Sequence, residues 1–400
     1  RRQWASACDA LSDGSLDAAA LQRLVAPALV ETARIGGRAL WVMDGSGWPR
    51  PSAPTSPERT ACRVLVPGSA RQSIQDGWEY QWLCAIPDAA GSWVLPLSVT
   101  RRSIEAGTPT ALAITQIRQV QAARIATGTA AERPLLLLDS SYDVVQLVEA
   151  DLGVDILARS ARNRRFYRPP RWSGRGRKPI HGPVFKLNDA TTHGAPDHRE
   201  VLPDAVHGTV TIERWDRLHR EERAAVECSL IRITLAHVSE RSHHTVPPPP
   251  LWLVWTGTAP PPTAALFRIW YARRFAIEHA FRFLKQTLGW TRLRPRSPQT
   301  ADRWSWLLAM ALWQLWLARR QVEAIRLPWE AVATRCPPSP GQVRRSLARL
   351  LLGLGTPARS PRPRGKSPGR LPGQAPGRAR RYPARKRAPP APRKRRNSRR

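Results

Sequence analysis

The spacing of apolar residues along this chain changes period several times, and each change marks an element. Beyond Asp13 or Ser15, either of which can cap, apolar positions recur at helical spacing, so residues 1–36 read as helical. The next apolar run, Ala39–Met43, is short and continuous, the pattern of a buried strand, and Asp44 with a Gly-Ser-Gly turn ends it. Residues 50–75 are rich in Pro and Ser and read as loop. GWEYQWLCAI (77–86) and SWVLPLSVT (92–100) form a predicted hairpin across PDAAG. A helix follows over 108–126, with Thr108 as cap and Pro109 at its first position. RPLLLLD (133–139) is a second buried strand ending in an acid, SSYDVVQLVEADLG leads from it as a helix, and DILAR (155–159) is one more strand. Strand, hairpin, helix, strand, helix, strand is an α/β order with a mixed sheet, and such sheets place chemistry at the C-terminal ends of their strands.

Residues 160–250 break the rhythm. A basic, aromatic loop, RNRRFYRPPRWSGRGRKPIHG, precedes two alternating segments, GTVTIERW and SLIRITLAHV, that read as antiparallel strands. LWLVWTGT (251–258) is a strand, and a long helix begins near Thr263 and carries through Lys285. Another helix, 300–322, holds Trp304, Trp306, Trp313 and Trp316 at core spacing. The predicted organisation is an N-terminal helical remnant (1–36), an α/β domain in two parts (37–160 and 251–325), a β-rich insertion subdomain (161–250), a helical extension (326–352) and a disordered Pro/Arg-rich tail (353–400).

Charge changes the picture more than length does. The formal charge is +34, and residues 351–400 hold 17 Lys or Arg and no acid; the remainder still carries 47 basic against 30 acidic residues. That balance favours a polyanion, of which nucleic acid is the commonest. Arg outnumbers Lys 58 to 6, which reflects codon bias first and bidentate phosphate binding second. The five cysteines are scattered without a CxxC pair, against a disulfide framework or a structural zinc site. The longest apolar run, Leu307–Ala318, is too short to span a bilayer, and no signal peptide is visible; a cytoplasmic protein without a membrane partner is expected. The chain begins with Arg1 rather than Met, as a fragment or a shortened reading frame would.

Candidate chemistry lies on the helix WYARRFAIEHAFRFLKQTLGW. Tyr271, Arg274, Glu278 and Lys285 fall at offsets 0, 3, 7 and 14, which at about 100° per residue is an arc of roughly 60° on one face. A carboxylate flanked by cations and a phenol suits a metal ion bound to a phosphate; it also suits an ordinary solvated face. Asp44 and Asp139, at the ends of two buried strands, are turn residues or, with Glu278, a metal-binding trio. Three carboxylates brought together repel, and divalent cations with oxygen ligands resolve the repulsion.

With this spacing the chain resembles bacterial insertion-sequence transposases of the DDE class, the insertion-sequence family 4 and 701-like group, which carry a Tyr-Arg-Glu-Lys signature. DGSGWP at Asp44 and LLLLDSSY before Asp139 look like the family's two aspartate motifs, and the resemblance covers roughly residues 37–325. It implies an RNase H-like mixed sheet flanked by helices, interrupted by the insertion. Asp44, Asp139 and Glu278 would be catalytic and would bind two Mg²⁺ ions, replaceable by Mn²⁺. Tyr271, Arg274 and Lys285 would hold phosphates of double-stranded DNA, both transposon end and target, in a protein dimeric on its DNA. In some relatives a flipped base stacks on an insertion-domain aromatic; Trp252 and Trp255 are placed for this but sit in an apolar strand that reads as core. Two other functions fit the same residues: an inactive truncated remnant that only binds DNA, and a two-metal nuclease that only hydrolyses.

Overall fold

A computed structural model describes residues 10–65, 72–237, 248–257, 262–323, 325, 327–330, 338–355, 373–374 and 377–385. Its centre is one mixed sheet. In chain order the strands are β1 (Leu40–Pro49), β2 (Thr60–Leu65), β3 (Gln72–Ile86), β4 (Leu95–Arg101), β5 (Leu135–Leu138), β6 (Asp155–Arg159), β7 (Arg165–Tyr167), β8 (Val184–Lys186), β9 (His198–Asp204), β10 (Gly208–Arg220), β11 (Arg223–Leu235) and β12 (Leu251–Thr256). The helices are α1 (Ala18–Val25), α2 (Pro109–Ala126), α3 (Val144–Glu149), α4 (Ala264–Arg273), α5 (Ala276–Gln286), α6 (Pro298–Ala318) and α7 (Pro340–Leu354). The sheet order is β2-β3-β1-β5-β6-β12-β11-β10-β7-β8, with β4 on β3 and β9 on β10. β1, β5 and β6 run parallel to one another, and β3 and β12 run antiparallel on either side of that trio.

Strand alternation sorts the core into two layers. Leu40 and Val42 of β1 and Leu135 and Leu137 of β5 face a cluster that includes Phe267 and Trp270 of α4, Ile277 and Leu284 of α5, and Trp306 of α6. Trp41 and Met43, with Leu136 and Leu138, face the opposite cluster, which contains Ala113 and Ile117 of α2 and Leu147 of α3. α6 spans both, since Trp313 and Trp316 join the second cluster. Trp252 and Trp255 are buried in strand β12, as their apolar neighbours predict. Among the described residues no helix is long and apolar enough to cross a membrane, and Cys62, Cys84 and Cys228 are buried free thiols.

Three local expectations are corrected. The Gly-Ser-Gly after Asp44 does not turn: β1 continues to Pro49, paired with β3 from Leu40↔Ile86 to Pro49↔Gly77. The glycines instead let neighbours approach, for a Cβ on Gly45 would stand 3.2 Å from the Arg102 guanidinium and one on Gly47 3.0 Å from the Arg63 carbonyl. Within the Pro- and Ser-rich stretch, Thr60–Leu65 forms β2 against the first half of β3. The single long helix is two, α4 and α5. Between them Arg274 N–H donates to Tyr271 O and Glu278 N–H to Phe275 O, three-residue spacings that tighten the turn and end the regular helix. Most of the tail beyond 355 lies outside the described residues. Of its described part, Tyr382 N–H donates to Pro54 O and Arg385 N–H to Arg59 O, so this short segment lies against the loop before β2.

Candidate active site

The parallel pairing of β1 with β5 brings two acids side by side. Its last pair is Val42↔Leu137, and two residues further along each strand stand Asp44 and Asp139. Asp44 shares the side of Val42, the side that α4 and α5 cover, and Asp139 follows directly on the end of β5. The junction of those helices supplies the third acid. Arg274 Nη2 donates to Asp44 Oδ2 at 2.7 Å, and its Nη1 to Glu278 Oε1 at 3.3 Å. The guanidinium thus bridges a strand carboxylate and a helix carboxylate. Asp139 accepts from its own loop, from Ser141 N–H at 2.9 Å and Ser141 Oγ at 2.5 Å.

Electrostatics tie these groups together. Burial pushes the Asp44 carboxyl up from 3.8 to about 6; Arg274 opposes this, while Asp139 and Glu278 add to it. Burial works against the Arg274 charge too, but Asp44, Tyr271, Asp139 and Glu278 together lift its pKa above the ordinary value. The Tyr271 hydroxyl is pushed up to about 12, by burial first, with Arg274 and Arg159 opposing. It remains a protonated donor beside the acids. Lys285 stands elsewhere: burial lowers its pKa, Cys62 is the group acting on it, and its Nζ lies 5.7 Å from the centre of the Trp290 ring. Axial rise is the reason: Glu278 is in the first turn of α5 and Lys285 in its last, about 10 Å apart along the axis at 1.5 Å per residue, so sharing a face does not bring them to one point.

A further cation escaped the sequence reading. Arg102, just past β4, donates to Gln81 Oε1 at 3.0 and 2.9 Å and to Glu79 Oε1 at 2.8 Å, beneath Gly45. It also acts on the buried Tyr142 hydroxyl, which Asp44 and Asp139 influence as well. The only signal was the Arg101–Arg102 pair at a strand end, too common to single out. Below the site, α5 rests on Trp290, which is fully buried, donates to Ser305 Oγ at 2.9 Å, and packs within 6.5 Å of Trp48, Tyr80, Trp82 and Phe281.

Three carboxylates are hard oxygen donors, so the donor chemistry fits a divalent cation; the raised Asp44 pKa reflects its burial first. Among the described residues, however, no three His, Cys, Asp or Glu side chains are gathered closely enough to hold a metal ion. The Arg274 bridge stands where the carboxylates would converge.

An α/β enzyme with acids at the ends of parallel strands is the class these features define. The DDE superfamily endonuclease family matches residues 2–221, a span that includes Asp44 and Asp139. The chain belongs to this family, whose members are DNA-cutting nucleases and transposases that generally use divalent metals. No curated protein matches the chain.

Proposed function

We propose that the chain is a transposase of the insertion-sequence family 4 and 701-like kind, cleaving DNA at the element's ends and joining it to target DNA. The observation that carries this reading is the equivalent placement of Asp44 and Asp139 on neighbouring parallel strands, with Glu278 tied to Asp44 through Arg274. The strand order β4-β3-β1-β5-β6 supports an RNase H-like catalytic domain made of residues 37–160 and 251–325, with 161–250 as its insertion. In this reading Asp44, Asp139 and Glu278 would hold two Mg²⁺ ions. Once bound, the ions would supply an activated water or 3′-hydroxyl and charge stabilisation at the leaving oxygen.

The chain's own residues do the rest. Arg274 neutralises Asp44 and Glu278 and presents a guanidinium suited to a DNA phosphate. Tyr271 donates its hydroxyl to a phosphate oxygen beside it. Lys285, away from the carboxylates, takes a phosphate further along the strand.

Purified full-length protein, given Mg²⁺ or Mn²⁺ and a plasmid carrying the element's own ends, should nick and join DNA. Glu278→Gln should abolish both reactions and leave DNA binding intact. Binding without cutting at intact ends would mark an inactive remnant, and hydrolysis without joining of a pre-cut end would mark a nuclease.

A further inference from the structure

Among the described residues, the longest run of exposed cationic chain is the connection between β7 and β8. Its stem is fixed: Phe166 pairs with Phe185, both are buried against Trp215 and Trp252, and the ladder continues through Arg168 N–H to Pro183 O at 3.0 Å and Gly182 N–H to Arg168 O at 2.9 Å. Beyond that closure, all ten residues 171–180 are exposed. No acid lies between Asp155 and Asp189, whereas ten Lys or Arg do. A self-packed loop would bury something, and this one projects a cationic tip from a rigid base. Such a tip has no role in the two core layers. It suits a polyanion.

The tip is also narrow. Side chains are absent at Gly174 and Gly176, which have φ of +85° and +71° and open space where a Cβ would be. Arg175 and Arg177 alternate with them. A ribbon of this kind fits a slot about 6 Å wide, the minor groove of B-form DNA, where bulkier backbone is excluded. The groove is narrowest and its potential most negative over A·T tracts, which draw in arginine above all. Pro169, Pro170, Pro179 and Pro183 stiffen the flanks and remove N–H groups that would otherwise need partners. Half-exposed Trp172 adds an apolar face beside the cations.

We propose that the β7–β8 loop is a DNA-binding arm that inserts Arg175 and Arg177 into the minor groove of A·T-rich duplex, outside the carboxylate site. It selects where the protein sits on DNA rather than performing chemistry. The inference does not depend on catalysis, and the test is run without metal so that the two can fail separately.

Full-length protein in EDTA is titrated with labelled 24-base-pair duplexes having A·T or G·C centres, and with an RNA duplex, at several salt concentrations. The A·T duplex should bind at least about tenfold more tightly than the G·C duplex or the RNA, whose minor groove is wide and shallow. Arg175→Ala with Arg177→Ala should erase the A·T preference and reduce the slope of log K against log salt by about 1.8, two phosphate-equivalents at 0.9 each. Arg175→Lys with Arg177→Lys should keep the slope but lose most of the preference. Unchanged circular dichroism establishes that the exposed substitutions leave the fold intact. Equal binding of A·T and G·C duplexes by the unmodified protein would overturn the proposal, as would an alanine variant with undiminished preference or RNA bound as tightly as A·T DNA. A protein that cuts DNA yet shows no such preference refutes the arm and spares the catalytic reading; a non-cutting protein with the preference does the reverse.

Discussion

Replacing Asp44 with Asn should make the protein more stable while removing a carboxylate of the proposed site. The Asp44 carboxyl has its pKa raised from 3.8 to about 6 by burial, against the pull of Arg274, and its side chain is only 20% exposed. A rise of about two pH units, at 1.36 kcal/mol each, puts the cost of ionising it in place at roughly 3 kcal/mol. Arg274 loses some attraction in the variant, so the expected gain is about 1–3 kcal/mol at pH 7.5. The sign follows from proton counting. Between pH 4 and 6 the folded protein holds a proton on Asp44 that the unfolded chain has released, so stability falls as pH rises through that window, and the penalty is complete above about pH 6. The Asp44→Asn variant escapes it. Equilibrium urea unfolding in EDTA, at pH steps from 4 to 7.5, should show a variant advantage that grows with pH and closes toward pH 4. Added Mg²⁺ should stabilise the unmodified protein and not the variant. A variant less stable than its parent at pH 7.5, or an advantage independent of pH, would refute the idea that Asp44 is held charged at a cost.

Arg274→Ala should raise the Asp44 pKa above its present value of about 6, because Arg274 is the largest influence lowering it; the pH midpoint of the stability difference between proteins with and without the Asp44→Asn substitution should move higher when Arg274→Ala is present in both. Trp290→Ala should destabilise the fold by about 3–5 kcal/mol, measured by urea unfolding, since it empties a fully enclosed site and leaves Ser305 without its indole donor.

What the sequence made legible was the alternation that buries β1 and β5 and the acids that follow their last paired residues. Continuous apolar runs of four or five residues flanked by polar chain admit few other packings. DGSGWP misled because glycine serves equally for a turn and for close approach between strands, and only the partner decides; here β3 is long enough to pair with all of β1. The break between α4 and α5 left no trace in the pattern, as Arg274 and Phe275 are acceptable helix residues and the tightening follows from tertiary position. Arg274, at that break, reaches both Asp44 and Glu278, while Lys285 lies at the far end of α5, about 10 Å from Glu278 along the axis at 1.5 Å per residue. Arg102 was hidden for a related reason: its place beneath Gly45 depends on how β4, β3 and β1 stack, not on any local spacing.

The central claim is that Asp44, Asp139 and Glu278 converge on divalent cations, and iron-directed backbone cleavage tests it most directly. Fe²⁺ occupying a Mg²⁺ site generates hydroxyl radicals with ascorbate and peroxide and cuts the nearby chain. The account predicts cuts around residues 44, 139 and 278 in the full-length protein with DNA present, suppressed by excess Mg²⁺ and lost in Asp44→Asn. Cuts confined to other segments, or unaffected by Mg²⁺ and by that substitution, would contradict it.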